Sequence, residues 1–288
     1  MAGLLSGLSA LGLGDLENAD IFAEPEKKTK ENLKTATVKP MLIREQDLIY
    51  DKAWECPVCH TKFTSKVTKS GKARLVETEK DLRPVYAGVD VQKYEVVLCP
   101  ACGYTALMRY FPYATALQCK QIKELICRKV RLHEYKGETY SYEEAHERYQ
   151  LALANAVVKH ARISEKAYIC LKTGWLMRGY AESLEMDPDA TKEKIAQIRE
   201  LEEANLKSAY EGFKEAVQTE NFPICGMDET TLNYLMAALG LRFKDYDYSS
   251  RLVASILVSH VANSRIKDRA RELKEELLIE LRKKNKDA

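Results

Sequence analysis

Two cysteine pairs carry the clearest chemistry in the chain. Cys56-Pro57-Val58-Cys59 is followed, after 39 residues, by Cys99-Pro100-Ala101-Cys102-Gly103. Zinc takes four soft ligands in a tetrahedron, and two thiolates three residues apart fit a tight turn that holds one edge of it. Cys56, Cys59, Cys99 and Cys102 therefore predict a structural Zn²⁺, one per chain, with one thiolate from each. Four thiolates leave the site with a charge of about −2. Backbone N–H groups of the turns, with Lys62 and Arg109 nearby in sequence, are candidates to offset it. A closed four-sulfur site lacks the open position that zinc catalysis requires. His60 stands where Gly103 stands in the second pair. That place in the turn often needs φ > 0, which His tolerates better than most residues; His60 is also a substitute ligand by chemistry.

The elements that must hold these turns read as follows. Leu48, Ile49, Tyr50 and Trp54 lead into the first pair. After it, Phe63, Ser65 and Val67 alternate with Lys62, Thr64 and Lys66, a period of two and so a strand. Ser70-Gly71 predicts a turn, with Ala73 to Thr78 returning as the hairpin partner. A further strand, Tyr94 to Leu98, feeds the second pair. Together these give a small antiparallel zinc ribbon with an elaborated loop, or a treble-clef-like variant, over residues 41–112.

Asp81, Arg83 and Tyr86 lie in that loop. An acid, a base and a ring so close either line a ligand pocket or anchor the loop by an ion pair and ring packing. From Lys62 to Arg83 there are seven bases against three acids. Lys66, Lys69 and Arg74 are the candidate nucleic-acid contacts of this stretch. The plainer reading is a solvated hairpin edge, where Lys blocks edge pairing.

Beyond Phe111-Pro112 the pattern is helical. Ala116, Leu117, Ile122, Leu125, Ile126 and Val130 share one helix. Ser141 with Glu144 makes a capping box for Tyr142 to His160. Further helices are predicted over Ala161–Leu184, over 191–219, after an Asp228 cap, and from about Tyr246 and Ser264. Leu239-Gly240-x-x-Phe243, Asp245-Tyr246, Leu252, Ile256 and Ser259 resemble one tetratricopeptide unit. Residues 113–288 are thus expected to form an all-α, tetratricopeptide-like bundle whose concave face suits a peptide, giving an α+β fold overall. The histidines His133, His146, His160 and His260 have no catalytic company.

Residues 1–40 divide into a Leu- and Gly-rich tip and a charged, flexible linker beginning near Glu24. The tip lacks the early basic residues of a signal peptide. No apolar run reaches the length of a membrane span. The other cysteines, Cys119, Cys127, Cys170 and Cys225, read as reduced thiols, which points to a cytoplasm. Cys225, in a turn, is the exception most worth watching.

Cys56, Pro57, Cys59, Cys99, Pro100, Cys102, Gly103 and Tyr104 resemble the split CPxC…CPxCGY head of an uncharacterised bacterial domain-of-unknown-function family. Asp81, Arg83, Pro84 and Tyr86 match the segment between its knuckles, and the tip and residues 222–229 look like its clostridial members. The resemblance implies zinc binding by the four cysteines, a bacterial cytoplasm and no assigned activity.

No nucleophile–base pair, phosphate-cradling glycine loop or paired-acid motif is readable, so catalysis is not predicted. The residues predict a zinc-stabilised protein-interaction adaptor, meeting an unknown protein partner through its helical surface or its tip. The alternatives are nucleic-acid binding through the basic hairpin and a thiol redox sensor that releases zinc on oxidation.

Overall fold

A computed structural model describes residues 44–133 and 137–286. The tip and linker read over residues 1–40 lie outside the described residues. The fold is α+β: short antiparallel strand pairs come first, and seven α-helices follow among the described residues.

Both cysteine pairs sit at hairpin ends. β1 (Ile49–Glu55) pairs with β2 (Lys62–Thr68) in a register running from Ile49 opposite Thr68 to Glu55 opposite Lys62. The first knuckle is the connection. Cys56 N–H donates to the Thr61 carbonyl at 3.0 Å and His60 N–H to the Cys56 carbonyl at 2.8 Å. The second knuckle joins β5 (Val96–Leu98) to β6 (Thr105–Leu107) in the same way, with Gly103 N–H on the Cys99 carbonyl at 2.9 Å. The expected hairpin between the Phe63 strand and the Ala73–Thr78 strand does not form. The tight knuckle places β1 beside β2 first. β3 (Leu75–Thr78) pairs instead with β4 (Pro84–Tyr86). The predicted Tyr94–Leu98 strand is shortened because Val91–Tyr94 makes a turn of 3₁₀ helix, capped by Asp90.

The helices are α1 (Ala116–Ile122), α2 (Tyr142–Val158), α3 (Ile163–Glu185), α4 (Lys192–Thr219), α5 (Glu229–Arg242), α6 (Tyr246–Val258) and α7 (Ser264–Lys286). Their starts follow the capping chemistry. Ser141 and Glu144 form the expected box, and Thr191, Asp228 and Asp245 each accept a backbone N–H of the first turn. α1 widens into a π turn over Lys123–Cys127, which leaves Ile126 and Cys127 packed on the head with the fully buried Ile122.

Besides a small core about Leu48, Val89, Tyr94 and Tyr140, four cores run through the described residues in sequence. The head core gathers Val58, Tyr104, Ala106, Phe111 and Ile122 about the cysteines. Phe111 is its hub, with Tyr104, Trp54 and Phe63 rings at 4.9, 5.5 and 5.9 Å. A second core joins Val96 and Leu107 to α2 and α3, a third joins α3, α4 and α5, and a fourth joins α5, α6 and α7. Gly240 permits the α5–α6 approach: a Cβ there would lie 2.4 Å from Ser249 Oγ.

Gly179 on α3 is more demanding. A Cβ there would meet Asp90 Oδ2 at 2.2 Å, Arg83 Nη2 at 3.0 Å and the Tyr142 hydroxyl at 3.1 Å. Gly179→Ala is expected to lower stability by at least the ~1–3 kcal/mol typical of overpacking, read as a reduced urea midpoint at unchanged slope. An unchanged midpoint would mean that Asp90 moves aside without cost.

Candidate metal centre

The four thiols Cys56, Cys59, Cys99 and Cys102 converge, with all Sγ atoms within 4.8 Å of one another. Cys56 and Cys102 sulfurs are 3.6 Å apart, as are those of Cys59 and Cys99. A Zn–S bond of about 2.3 Å in a tetrahedron requires sulfur–sulfur edges of about 3.8 Å, so the spacing fits such an ion. The backbone N–H groups of Val58 and Cys59 favour the Cys56 thiolate, those of Ala101 and Cys102 the Cys99 thiolate, and that of Tyr104 the Cys102 thiolate. These donors partly offset the charge of the thiolates. Arg109 does not, because its guanidinium turns to the Cys225 carbonyl.

Four thiols packed this closely cannot all ionise without a cation. Hydrogen bonds from Cys102 and then Cys56 hold the Cys99 thiol far below its ordinary value, while contact with Cys56 and Cys99 pushes Cys102 far up. A bound cation reverses that competition, so loading the site releases protons.

His60 takes φ +63°, matching Gly103 at +75°, and its side chain is exposed. It occupies the turn position that favours glycine, and the clustered donors are the four sulfurs. Cys119 donates to the Pro57 carbonyl at 3.5 Å, and Cys127 packs against the head core, where burial raises its pKa. Cys225 is buried at φ +49°, its thiol on the Ser164 carbonyl at 3.3 Å, and burial raises its pKa. Its thiolate is therefore disfavoured.

A family model described as an uncharacterized protein conserved in bacteria (DUF2225) matches residues 49–277. The chain belongs to the DUF2225 family. No curated protein matches it, and no solved structure does. The matched span begins with β1 and ends in α7, so it holds both knuckles and the helices of this DUF2225 chain.

Between the knuckles, the DUF2225 chain sends Glu79, Asp81 and Arg83 into the helices. Asp81 and Arg83 are both buried. Arg83 grips Glu182 of α3 through two hydrogen bonds of 2.8 Å and reaches Glu79 at 3.1 Å. Asp81 accepts Arg178 Nη2 at 2.6 Å and the Trp175 indole N–H at 3.1 Å. Arg178 also binds Glu79 and, at 2.8 Å, Glu202 of α4. Glu202 is only 2% exposed, and Arg199 at 2.9 Å and Arg242 at 3.0 Å complete its shell. Burial opposes charge on Arg178, but Asp81 and Glu202 outweigh it and raise its pKa. Burial likewise opposes charge on Glu202; Arg178, Arg199 and Arg242 overcome it and hold the carboxylate below its usual range.

Asp81 and Arg83 thus anchor the loop to the bundle. Tyr86 is half-buried against the small core of Leu48, Val89, Tyr94 and Tyr140. Of the basic candidates, Lys66 lies 3.5 Å from Asp51, Lys69 donates to the Asp47 carbonyl at 2.9 Å, and Arg74 is exposed. The sequence reading missed Arg178, Glu202 and Arg242. A signal was present, since Glu202 interrupts the apolar stripe Ile198, Leu206, Tyr210, Phe213 at helical spacing.

Proposed function

We propose that the chain is a zinc-stabilised protein-interaction adaptor of the bacterial cytoplasm. Residues 41–112 form its zinc head, 113–288 its tetratricopeptide-like helical part, and 1–40 a flexible tail with a docking tip. The observation that supports this most is the closed set of four sulfurs with tetrahedral spacing, a donor set that suits structural rather than catalytic zinc. Cys56, Cys59, Cys99 and Cys102 would hold the ion, which would fasten the two hairpins to each other. The helical part then offers the partner surface. Immobilised full-length protein, metal-loaded, should retain a defined partner from a bacterial lysate that a blank column does not retain. An eluate identical to that of the blank column would remove the adaptor reading.

The redox reading draws on Cys127, a fifth thiol packed against the head core that holds the four cysteines. Zinc retained through mild peroxide, with only non-ligand thiols modified, would exclude it.

A further inference from the structure

A cavity of about 700 Å³ opens where the knuckle insert meets α3, α5 and α7. That volume lies within the range of ordinary ligand sites. Its apolar wall is Leu241, Tyr246 and Ile279, with the buried Leu239 beneath them, and its floor is the ion pair of the buried Asp81 and the half-buried Arg178. Four bases and four acids line it: Lys80, Arg178, Arg242 and Lys244 against Glu79, Asp81, Glu276 and Glu280.

The charges are not balanced in use. Arg178 serves Glu79 and Asp81; Lys80 is paired with Glu276; Arg242 serves Glu202 and Glu203; Glu280 is held by Lys283 at 2.7 Å. Every lining acid therefore already has a base. Lys244 is the one lining base without an acidic partner among the described residues. It is exposed and held at φ +62°, a conformation that is uncommon outside glycine. Lys284 stands at the same mouth, with Nζ 5.9 Å from the Tyr246 ring centroid. The cavity thus offers apolar wall, a neutralised floor, and uncompensated positive charge at one rim.

We propose that this cavity is a docking site for an extended peptide segment of a partner in which apolar side chains flank an Asp or Glu. The apolar residues would lie on Leu241, Tyr246 and Ile279, and the carboxylate would meet Lys244 at the rim. A basic segment finds no unpaired acid there and would face Lys244 and Lys284. The proposal rests on the adaptor reading and specifies its site.

The test uses full-length, zinc-loaded protein with methyl-labelled leucine and isoleucine. The probes are an equimolar pool of capped pentapeptides containing Leu, Ile or Phe around one Asp or Glu, the same pool with Lys replacing the acid, and decanoate. The acidic pool is expected to shift the Leu239, Leu241 and Ile279 methyls saturably, with the Lys pool at least about tenfold weaker. Lys244→Glu and Ile279→Asp, both at exposed positions, should each weaken the acidic pool by about tenfold or more while leaving the remaining spectrum unchanged. The proposal is overturned if no peptide pool moves those methyls, if acidic and basic pools bind alike, if Lys244→Glu has no effect, or if decanoate alone binds. Partner capture that survives Lys244→Glu would overturn this site while leaving the adaptor reading intact.

Discussion

Replacing Cys99 with serine should strip the metal and open the head. A structural zinc site contributes folding free energy outright, an apparent ~10–16 kcal/mol in isolated zinc-finger peptides. Cys99 is fully buried, and its partner sulfur on Cys59 is 3.6 Å away. Without it the two hairpins lose the ion that would fasten them. Zinc content should fall well below one per chain, and amides of β1, β2, β5 and β6 should exchange much faster with deuterium, while α4 to α7 keep most of their protection. Cys225→Ser is the control, because that thiol lies in the α4–α5 turn and outside the cluster. A Cys99→Ser protein with full zinc and native exchange would show that the four sulfurs are not a metal site.

The second large effect is expected at Arg178. Its guanidinium, 12% exposed, bridges Asp81, Glu79 and Glu202. Arg178→Ala would leave the buried Asp81 without a base, while Glu79 keeps Arg83 and Glu202 keeps Arg199 and Arg242, and the cost of leaving a buried charge uncompensated is ~3–5 kcal/mol. Arg178→Lys keeps the charge but loses the forked geometry, so it should recover only part of that. Chemical unfolding followed by circular dichroism gives both values. If Arg178→Ala unfolds at the native midpoint, the ionic cluster adds nothing to stability. Retained zinc in Arg178→Ala would separate this effect from damage to the knuckles.

The elements most legible in the sequence were those with local causes. The Cys-x-x-Cys turns fixed their own geometry, down to the left-handed backbone at His60. Ser141, Thr191, Asp228 and Asp245 marked helix starts because each side chain satisfies a nearby N–H that the helix leaves open. Strand pairing was misread because β1 alternates weakly. Most of Tyr50 to Glu55 is exposed or half-exposed, so no apolar period announces it, and Ser70-Gly71 drew attention to the wrong partner. The ionic cluster was illegible for another reason. Charged residues on helices are ordinarily solvated, and only the juxtaposition of α3, α4 and the knuckle insert turns Arg178 and Glu202 inward.

The clasp on the insert also sets an order of events. Arg269 donates to the Thr78 and Glu79 carbonyls at 2.9 Å each, bonds that span 191 and 190 positions of sequence, and Lys80 meets Glu276 across 196. The knuckle hairpins, by contrast, close within a few residues. Local contacts form early and distant ones late, since long loops are slow to close. On a ribosome the two hairpins can therefore assemble soon after they emerge, whereas the insert, held first by α3 through Arg178 and Glu182, gains its second clasp only once α7 has been synthesised. A chain truncated before α7 would lack that second clasp and leave the fourth core incomplete, marking unfinished molecules by a segment held at fewer points than in finished ones.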